Sequence, residues 1–394
     1  MWNKVSAGAA ECCRVLWQAG FEAWPVGGCV RDLLLGRTPG DFDVTTDALP
    51  EQVLALFAHT VPTGVKHGTV TVVIGREGVE VTTLRGETGY SDGRHPDGVR
   101  FGVSLEEDLA RRDFTVNAMA LGRDGQIIDP YGGQADLKAR LIRCVGQPHR
   151  RFEEDALRML RGVRFGAQLG FALEENSEKA IYDCACKVNN LAAERVRVEV
   201  EKTLLSPRPM WAAKLFDMGL LRPWHAGTVQ GLEGLDRVGS DPLDRWAALC
   251  ACMDEPGQFL AALRLDGRTL RACAAGHALW QAGLPADERG WRHALAQYGP
   301  EGCRAAGCMA LCRQGGEPLA LLERTLGQDP CVTVDGLALS GGQLMDMGYS
   351  GPDIGRVQRA LLERVLDQPG ENTPQRLRQL AQELAGRPGR GEKP

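Results

Sequence analysis

The sequence predicts an α+β protein: a mixed α/β head followed by a remainder that is almost wholly helical. Over about the first 140 residues, helical apolar spacing alternates with short β-branched runs, whereas from about residue 150 strand-like segments vanish and apolar residues recur at helical spacing between Gly and Pro breaks. At 394 residues the chain is long enough for two or three domains, each with its own core.

The elements follow in order. Residues 4–18 have helical spacing, 21–26 form a strand, the glycine pair Gly27-Gly28 opens a short helix over 30–35, and 41–45 form a second strand. Pro50 at a first turn begins another helix. Residues 69–74 and 79–84 are β-branched arms around a glycine-bearing turn, the signature of a hairpin. Residues 86–98 turn to Gly, Ser, Asp, Arg, His and Pro without apolar periodicity and read as a mobile loop. Ser104-Leu105-Glu106-Glu107 has capping-box spacing and starts a helix running toward Met119. Residues 151–166, 174–188 and 192–205 then have helical spacing.

Bulk properties narrow the function. The hydrophobic content of 43% suits a globular protein, and a formal charge of −5 argues against indiscriminate polyanion binding, so a nucleic-acid partner needs a local patch. Residues 138–164 supply one, with eight Lys/Arg against three Asp/Glu. The thirteen cysteines show neither CxxC nor knuckle spacing, and their odd number resists a closed disulfide set; they read as reduced and mostly buried, in a cytoplasmic setting. The first twenty residues lack the apolar stretch of a secretory signal, and no run of eighteen apolar residues exists, so no membrane role is expected.

The chemistry concentrates early. In Asp41-Phe42-Asp43 strand alternation puts both carboxylates on one face and Phe42 in the core. Two carboxylates on one face can hold a pair of divalent metals; the alternative is an Asp-x-Asp that merely ends a strand. Upstream, the backbone at Gly27 and Gly28 can approach an anion closely, with N–H groups facing a phosphate and the helix dipole adding to the attraction. That company favours metal-assisted phosphoryl transfer, in which one ion lowers the pKa of an attacking hydroxyl and another neutralises leaving pyrophosphate. Glu80 is the candidate third carboxylate, or else a solvent-facing strand residue. Arg31 could fork onto a phosphate or pair with Asp32. Arg111 and Arg112 offer a second cationic cluster within reach of a triphosphate, with Asn117 placed to touch a ribose hydroxyl.

The segment 153–165 is the second signal. Asp155 and Arg158 stand at i and i+3, Arg161 and Arg164 continue the row, and Leu157, Leu160 and Val163 fill the other side. One reading is an ordinary ion pair on a solvated helix. The other is chemical: a carboxylate accepts from an exocyclic amine while the neighbouring guanidinium donates to the adjacent ring acceptor, which fits the Watson–Crick edge of cytosine or adenine. Uracil and guanine present a carbonyl and a ring N–H in those places and would leave buried groups unpaired.

Taken together, these motifs resemble a known family. Gly27-Gly28-x-Val30-Arg31-Asp32, Asp41-x-Asp43, Arg111-Arg112-Asp113-Phe114-Thr115-x-Asn117-Ala118, Asp129-Pro130 with Gly132-Gly133-x-x-Asp136-Leu137, Glu154-Asp155-x-x-Arg158 and Glu194-Arg195-Val196-x-x-Glu199 occur in the order and spacing of class II tRNA nucleotidyltransferases, the CCA-adding enzymes and their poly(A) polymerase relatives. The match is dense over the first 205 residues. The resemblance implies a polymerase-β-type nucleotidyltransferase head with a mixed sheet (1–145), a helical neck carrying the nucleotide-selecting helix (146–205), and a helical body and tail that grip tRNA (206–394). It implies two Mg²⁺ on Asp41 and Asp43, Gly28, Arg31 and Arg112 on the incoming CTP or ATP, Asp155 and Arg158 on the base with Arg161 and Arg164 in support, and residues 194–199 bracing that helix.

Within the family, the loop at 88–98 favours full CCA addition or A-only addition over an enzyme that adds cytidines alone. Residues 376–394 hold five Lys/Arg against two Asp/Glu, a weaker basic tail than poly(A) polymerases carry. His225, His277 and His293 are each followed by alanine, so no phosphohydrolase domain is expected. Residues 333–336 and 341–352 resemble the tail of short bacterial members. A retained fold that only binds nucleotide or RNA is the remaining alternative, against which the intact Asp41/Asp43 pair speaks.

Overall fold

The computed structural model describes residues 1–88 and 98–385, which form two compact units, Met1–His225 and Ala226–Pro394. The first unit begins with α1 (Ala7–Gln18), β1 (Ala23–Val26), α2 (Gly28–Leu34), β2 (Asp43–Thr46), α3 (Pro50–Leu56), β3 (Thr60–Gly64), β4 (Thr69–Ile74) and β5 (Glu77–Thr83). It continues through β6 (Arg85–Thr88), β7 (Gly98–Phe101), α4 (Leu105–Ala110), β8 (Ala120–Leu121), β9 (Ile127–Ile128), α5 (Gly133–Ala139) and β10 (Leu141–Ile142). The seven-stranded sheet has the order β3-β4-β5-β2-β1-β8-β9 and is mixed, because β2 and β5 run parallel while the other neighbours run antiparallel. Ala9, Cys12, Cys13 and Leu16, fully buried along one stripe of α1, recur at the helical period that a sheet-covering helix requires.

Several expectations shift once tertiary pairing is present. The strand expected over 41–45 begins at Asp43, because β1 ends at Val26, the partner of Asp43, and Gly27 turns the chain away at φ 77°. The β4–β5 hairpin closes on two residues, Gly75 and Arg76, with Gly75 in the positive-φ region at 64° that a tight hairpin turn requires. The capping box at Ser104 is formed, Ser104 Oγ accepting from Glu107 N at 3.2 Å. Its helix nevertheless ends at Ala110, since the backbone at 113–115 pairs with residues 143–145 instead. Part of the stretch expected to be a loop is strand: β6 and β7 form an antiparallel ribbon. Residues 89–97, where that expected loop centres, and 386–394 of the basic tail lie outside the described residues.

The remainder of this unit carries α6 (Pro148–Glu154), α7 (Leu157–Leu169), β11 (Ala172–Leu173), α8 (Glu175–Cys184), α9 (Ala193–Leu204) and α10 (Ala212–Asp217). β11 corrects the expectation that strands vanish after residue 150: it pairs parallel with β10. The helix expected over 151–166 is also broken, since Asp155 is extended (φ −147°, ψ 106°) between α6 and α7. Its carboxylate takes the N–H of Leu157 at 3.0 Å, the competition with helical bonding that Asp offers at a helix start. Asp155 and Arg158 are therefore not two residues of one helical face. Gly166 permits the closest approach on α7, because a Cβ there would overlap the ring of Trp211.

The second unit is helical: α11 (Pro242–Cys250), α12 (Pro256–Ala262), α13 (Gly267–Ala282), α14 (Glu288–Arg313), α15 (Glu317–Leu326), α16 (Gly341–Asp346), α17 (Pro352–Asp367) and α18 (Pro374–Ala385). α14 kinks at Gly299-Pro300, where Gly299 has φ 71° and Pro300 lacks the N–H a continuous helix needs. Trp291, Leu295, Cys303, Ala306 and Leu322 centre one core, and Leu339, Leu344, Val357, Leu361 and Leu377 another. Among all thirteen cysteines, eleven are buried and none is in a disulfide.

Two glycine substitutions test this packing with opposite signs. Gly166→Ala should lower unfolding stability by about 1–3 kcal/mol through overlap with Trp211. Gly257→Ala, exposed on α12 with open space around it, should raise stability by up to about 1 kcal/mol. Urea unfolding of both variants reads the difference.

Candidate active site

The site is assembled where β1 hands over to α2. Gly27 donates its N–H to Met119 O at 3.1 Å, and its lack of a side chain admits Arg112, whose Nη1 would stand 2.8 Å from a Cβ there. The same residue thus turns the backbone and makes room for a guanidinium. Gly28 opens α2, and Arg31 one turn on is held on two sides: Nε and Nη2 donate to Asp32 at 2.9 Å each, and Nη1 donates to Asn117 Oδ1 at 2.7 Å. The Arg31–Asp32 pair that the sequence left as an alternative is present, together with a link to Asn117.

Behind Asn117 lies Asp113, almost wholly buried. Its Oδ1 accepts from Asn117 Nδ2 at 3.3 Å and from Phe114 N at 2.9 Å, while Oδ2 meets Arg161 Nε at 2.7 Å. Burial alone would raise this carboxyl's pKa. The Arg161 charge and hydrogen bond, with help from Arg158 and Asn117, outweigh it and hold the pKa at about 2. On the neighbouring helix Asp108, fully buried, binds Arg111 (2.9 and 2.8 Å) and Arg112 (3.4 Å), fixing both arginines at the end of α4.

The acidic couple sits at the start of β2, the central strand of the sheet. Asp41 is exposed ahead of β2, Phe42 is buried, and Asp43 is half-buried, so the expected alternation holds across the strand start. Glu80 is the register partner of Asp43 in the parallel β2–β5 pair and shares its face. Burial first, then the charges of Asp41 and Glu80, push Asp43 up to about 6, with Arg112 opposing. Crowded carboxylates that suppress one another's ionisation are a donor set suited to a divalent cation. Among the described residues, no three His, Cys, Asp or Glu side chains are gathered closely enough to hold a metal ion by themselves.

On the other side, Arg195 Nη2 donates to Asp155 Oδ2 at 2.9 Å, and Arg158 Nη1 donates to Glu154 Oε2 at 2.7 Å and to Arg151 O at 3.2 Å. Arg158 Nη2 also reaches Arg111 O at 3.0 Å. Arg164, buried, pairs with Glu199 at 2.7 Å. Much of the cationic patch expected over 138–164 is therefore engaged in internal ion pairs: Arg150, Arg151 and Arg158 converge on Glu154, Arg143 pairs with Asp136 and Glu174, and Arg161 pairs with Asp113.

One cleft of about 730 Å³ joins these groups. Of the residues singled out in the sequence, Gly28, Arg31, Asp43, Arg111, Arg112, Asn117, Asp155, Arg158 and Arg161 line it; Asp41, Glu80 and Arg164 do not. His67, Arg85, Asp113, Phe165 and Arg195 also line it and had been given no individual role. Asp113 and Arg195 lay inside quoted motifs, so their positions were legible though their partners were not. No periodicity or spacing marks His67, Arg85 or Phe165.

The depressed Asp113 carboxyl gives a pH dependence with a definite sign. Its contribution to stability is complete above about pH 4, the range where an unfolded aspartate is ionised, and is lost as pH falls toward 2. At 1.36 kcal/mol per pKa unit, wild type should lose about 2 kcal/mol more than Asp113→Asn between pH 4 and 2, read by urea unfolding at each pH.

Comparison with known proteins identifies the family. Residues 23–143 match the family model described as the poly A polymerase head domain, and residues 170–227 match one described as a probable RNA and SrmB-binding site of polymerase A. The CCA-adding enzyme of Lactobacillus delbrueckii subsp. bulgaricus is 39% identical over 375 residues, covering 91% of this chain and 93% of that protein. That of Geobacillus kaustophilus is 39% identical over 378 residues, covering 92% and 93%. The crystal structure of the Bacillus stearothermophilus CCA-adding enzyme in complex with CTP superposes with a TM-score of 0.83 at 35% identity, over 95% of this chain and 96% of that one. At 39% identity over more than nine-tenths of its length, this chain belongs to the CCA-adding enzymes, a family of generally metal-dependent nucleotidyltransferases.

Proposed function

We propose that this protein adds CMP and AMP from CTP and ATP to the 3′ end of tRNA, releasing pyrophosphate, and that its own side chains rather than a nucleic-acid template choose the base. The observation that carries the reading is the shared cleft: Asp43, from the acidic couple, and Asp155 with Arg158, from the α6–α7 junction, line the same cavity. A cleft of about 730 Å³ has room for a nucleoside triphosphate whose phosphates and base are recognised at once.

In this reading Asp41 and Asp43 hold two Mg²⁺ ions, with Glu80 on the same face as a further oxygen donor. Bound there, the metals supply acidification of the terminal RNA hydroxyl and charge neutralisation on the leaving pyrophosphate. The protein's own part is positioning. Gly28, Arg31 and Arg112 receive the triphosphate, the first through an unobstructed backbone and the other two through forks already oriented by Asp32 and Asp108. Asn117, hydrogen-bonded to Arg31 and Asp113, is fixed near the ribose.

Base choice falls to Asp155 and Arg158. Arg195 and the Leu157 N–H hold the Asp155 carboxylate in an extended stretch of chain, leaving lone pairs for an exocyclic amine. Glu154, Arg151 O and Arg111 O fix the Arg158 guanidinium. Arg161 and Arg164 support the pocket from behind. A pyrimidine or purine with a carbonyl facing Asp155 would oppose lone pair to lone pair, an unpaired buried contact that discriminates strongly. In the proposed division of labour the head (1–145) performs chemistry, the neck (146–205) selects, and the body and tail (206–394) hold tRNA in the cytoplasm.

Two sets of variants test this. Asp41→Ala and Asp43→Ala should each lower turnover by at least about 10²–10³-fold, as should removal of Mg²⁺ with a chelator, while tRNA binding measured by filter retention stays within a few-fold. Asp155→Ala should raise UTP and GTP incorporation relative to CTP and ATP by about two orders of magnitude. Labelled CTP and ATP offered with tRNA ending at the discriminator base, tRNA ending in CC, and an unrelated RNA should give three, one and no additions; continued growth would mark a poly(A) polymerase instead.

A further inference from the structure

Phe165 is nearly buried on α7, yet it lines the cleft, and its ring is ringed by cations drawn from two parts of the chain. The Arg164 guanidinium carbon lies 3.9 Å from the ring centroid, that of Arg161 5.3 Å and that of Arg31 5.4 Å. All three distances fall inside the range in which the negative face of an aromatic ring attracts a cation. Phe114, fully buried in the head, meets the same ring edge-on at 5.9 Å and 78° and fixes its orientation.

This arrangement solves a specific difficulty. Arg161 and Arg164 come from α7, whereas Arg31 comes from α2, more than a hundred residues earlier. Three guanidiniums gathered beside one cavity repel one another, and each is anchored by a separate acid: Asp32 for Arg31, Asp113 for Arg161, Glu199 for Arg164. Asp32 fixes Arg31 within α2, whereas Asp113 ties Arg161 to the loop after α4 and Glu199 ties Arg164 to α9. The ring is the one surface among the described contacts that all three share, and it carries no charge of its own to draw them off the substrate.

We infer that Phe165 is a positioning residue for substrate binding: its ring, backed by Arg164, sets Arg31 of the triphosphate-binding helix in register with Arg161 of the nucleotide-selecting helix, so that an incoming nucleoside triphosphate meets these two as a preformed cationic wall. This rests on the reading of those arginines given above. The ring itself makes no bond to the nucleotide. Losing it should weaken nucleotide capture for CTP and ATP alike, because the arginines it organises face the parts that both share.

The test uses the full chain and steady-state AMP addition to tRNA ending in CC, with ATP varied. Phe165→Leu and Phe165→Met, which keep apolar bulk but remove the ring's quadrupole, should each raise the ATP KM about tenfold, the loss falling on KM rather than kcat. Phe165→Tyr, which restores an aromatic face, should return KM to within about threefold of wild type. A merely space-filling role predicts the reverse ranking, with Met and Leu near wild type, and that result overturns the inference, as does an equal deficit in Tyr and Leu. Arg31→Ala run alongside separates the two levels. If it raises KM while Phe165→Leu does not, the ring's role alone fails; if it leaves KM unchanged, the assignment of Arg31 to the triphosphate fails with it.

Discussion

The cleft depends on the buried Asp113 carboxylate. It accepts from Arg161 on α7 with one oxygen and from Asn117 and the Phe114 N–H with the other, and Asn117 passes the constraint on to Arg31. An ionised carboxylate taken out of water is tolerated only when its lone pairs are filled by charged or well-placed donors. That requirement forces the loop after α4, the start of α2 and the middle of α7 into one arrangement. On the proposed reading, the groups that face the phosphates and the base are therefore set at a fixed spacing before any substrate arrives, which is the condition for electrostatic preorganisation.

The same logic explains how an acidic protein can present a basic cavity. Nearly every arginine near the cleft is tied to a carboxylate on the protein side: Asp32, Asp108, Glu154, Asp113 and Glu199 each hold at least one guanidinium. The pairing offsets part of the charge, since Asp108 is shared by two arginines and Glu154 by three, and leaves short-range directional donors. On the proposed reading, selectivity for a nucleotide then comes from where N–H groups point, which suits a site that must tell an amine from a carbonyl.

How much of this was legible in the sequence follows from the range of the forces involved. Motifs with local mechanics were readable: the glycine turn before α2, the Asp41/Asp43 alternation, the Ser104 capping box and the β4–β5 hairpin depend on neighbours within a few residues. Where long-range pairing competes, local spacing misled. Asp155 reads as part of a continuous helix, and becomes extended because its side chain takes the Leu157 N–H and the Arg195 guanidinium. The helix after Ser104 stops early because residues 113–115 find a backbone partner thirty residues on. The 138–164 patch looked like a free cationic surface because its acidic partners Asp113, Glu174 and Glu199 lie outside that window. Phe165 carries no signal at all, since an aromatic on an apolar helix face is indistinguishable from core until Arg31 is seen beside it.

The central claim is that one nucleoside triphosphate spans from the acidic couple to Asp155. A structure of the protein with CTP and Mg²⁺ tests it most directly. The account predicts the cytosine exocyclic amine within hydrogen-bonding distance of the Asp155 carboxylate, about 2.7–3.2 Å, with the α-phosphate of the same molecule beside Asp43. A CTP bound through its phosphates but with its base turned away from Asp155 and Arg158 would contradict it.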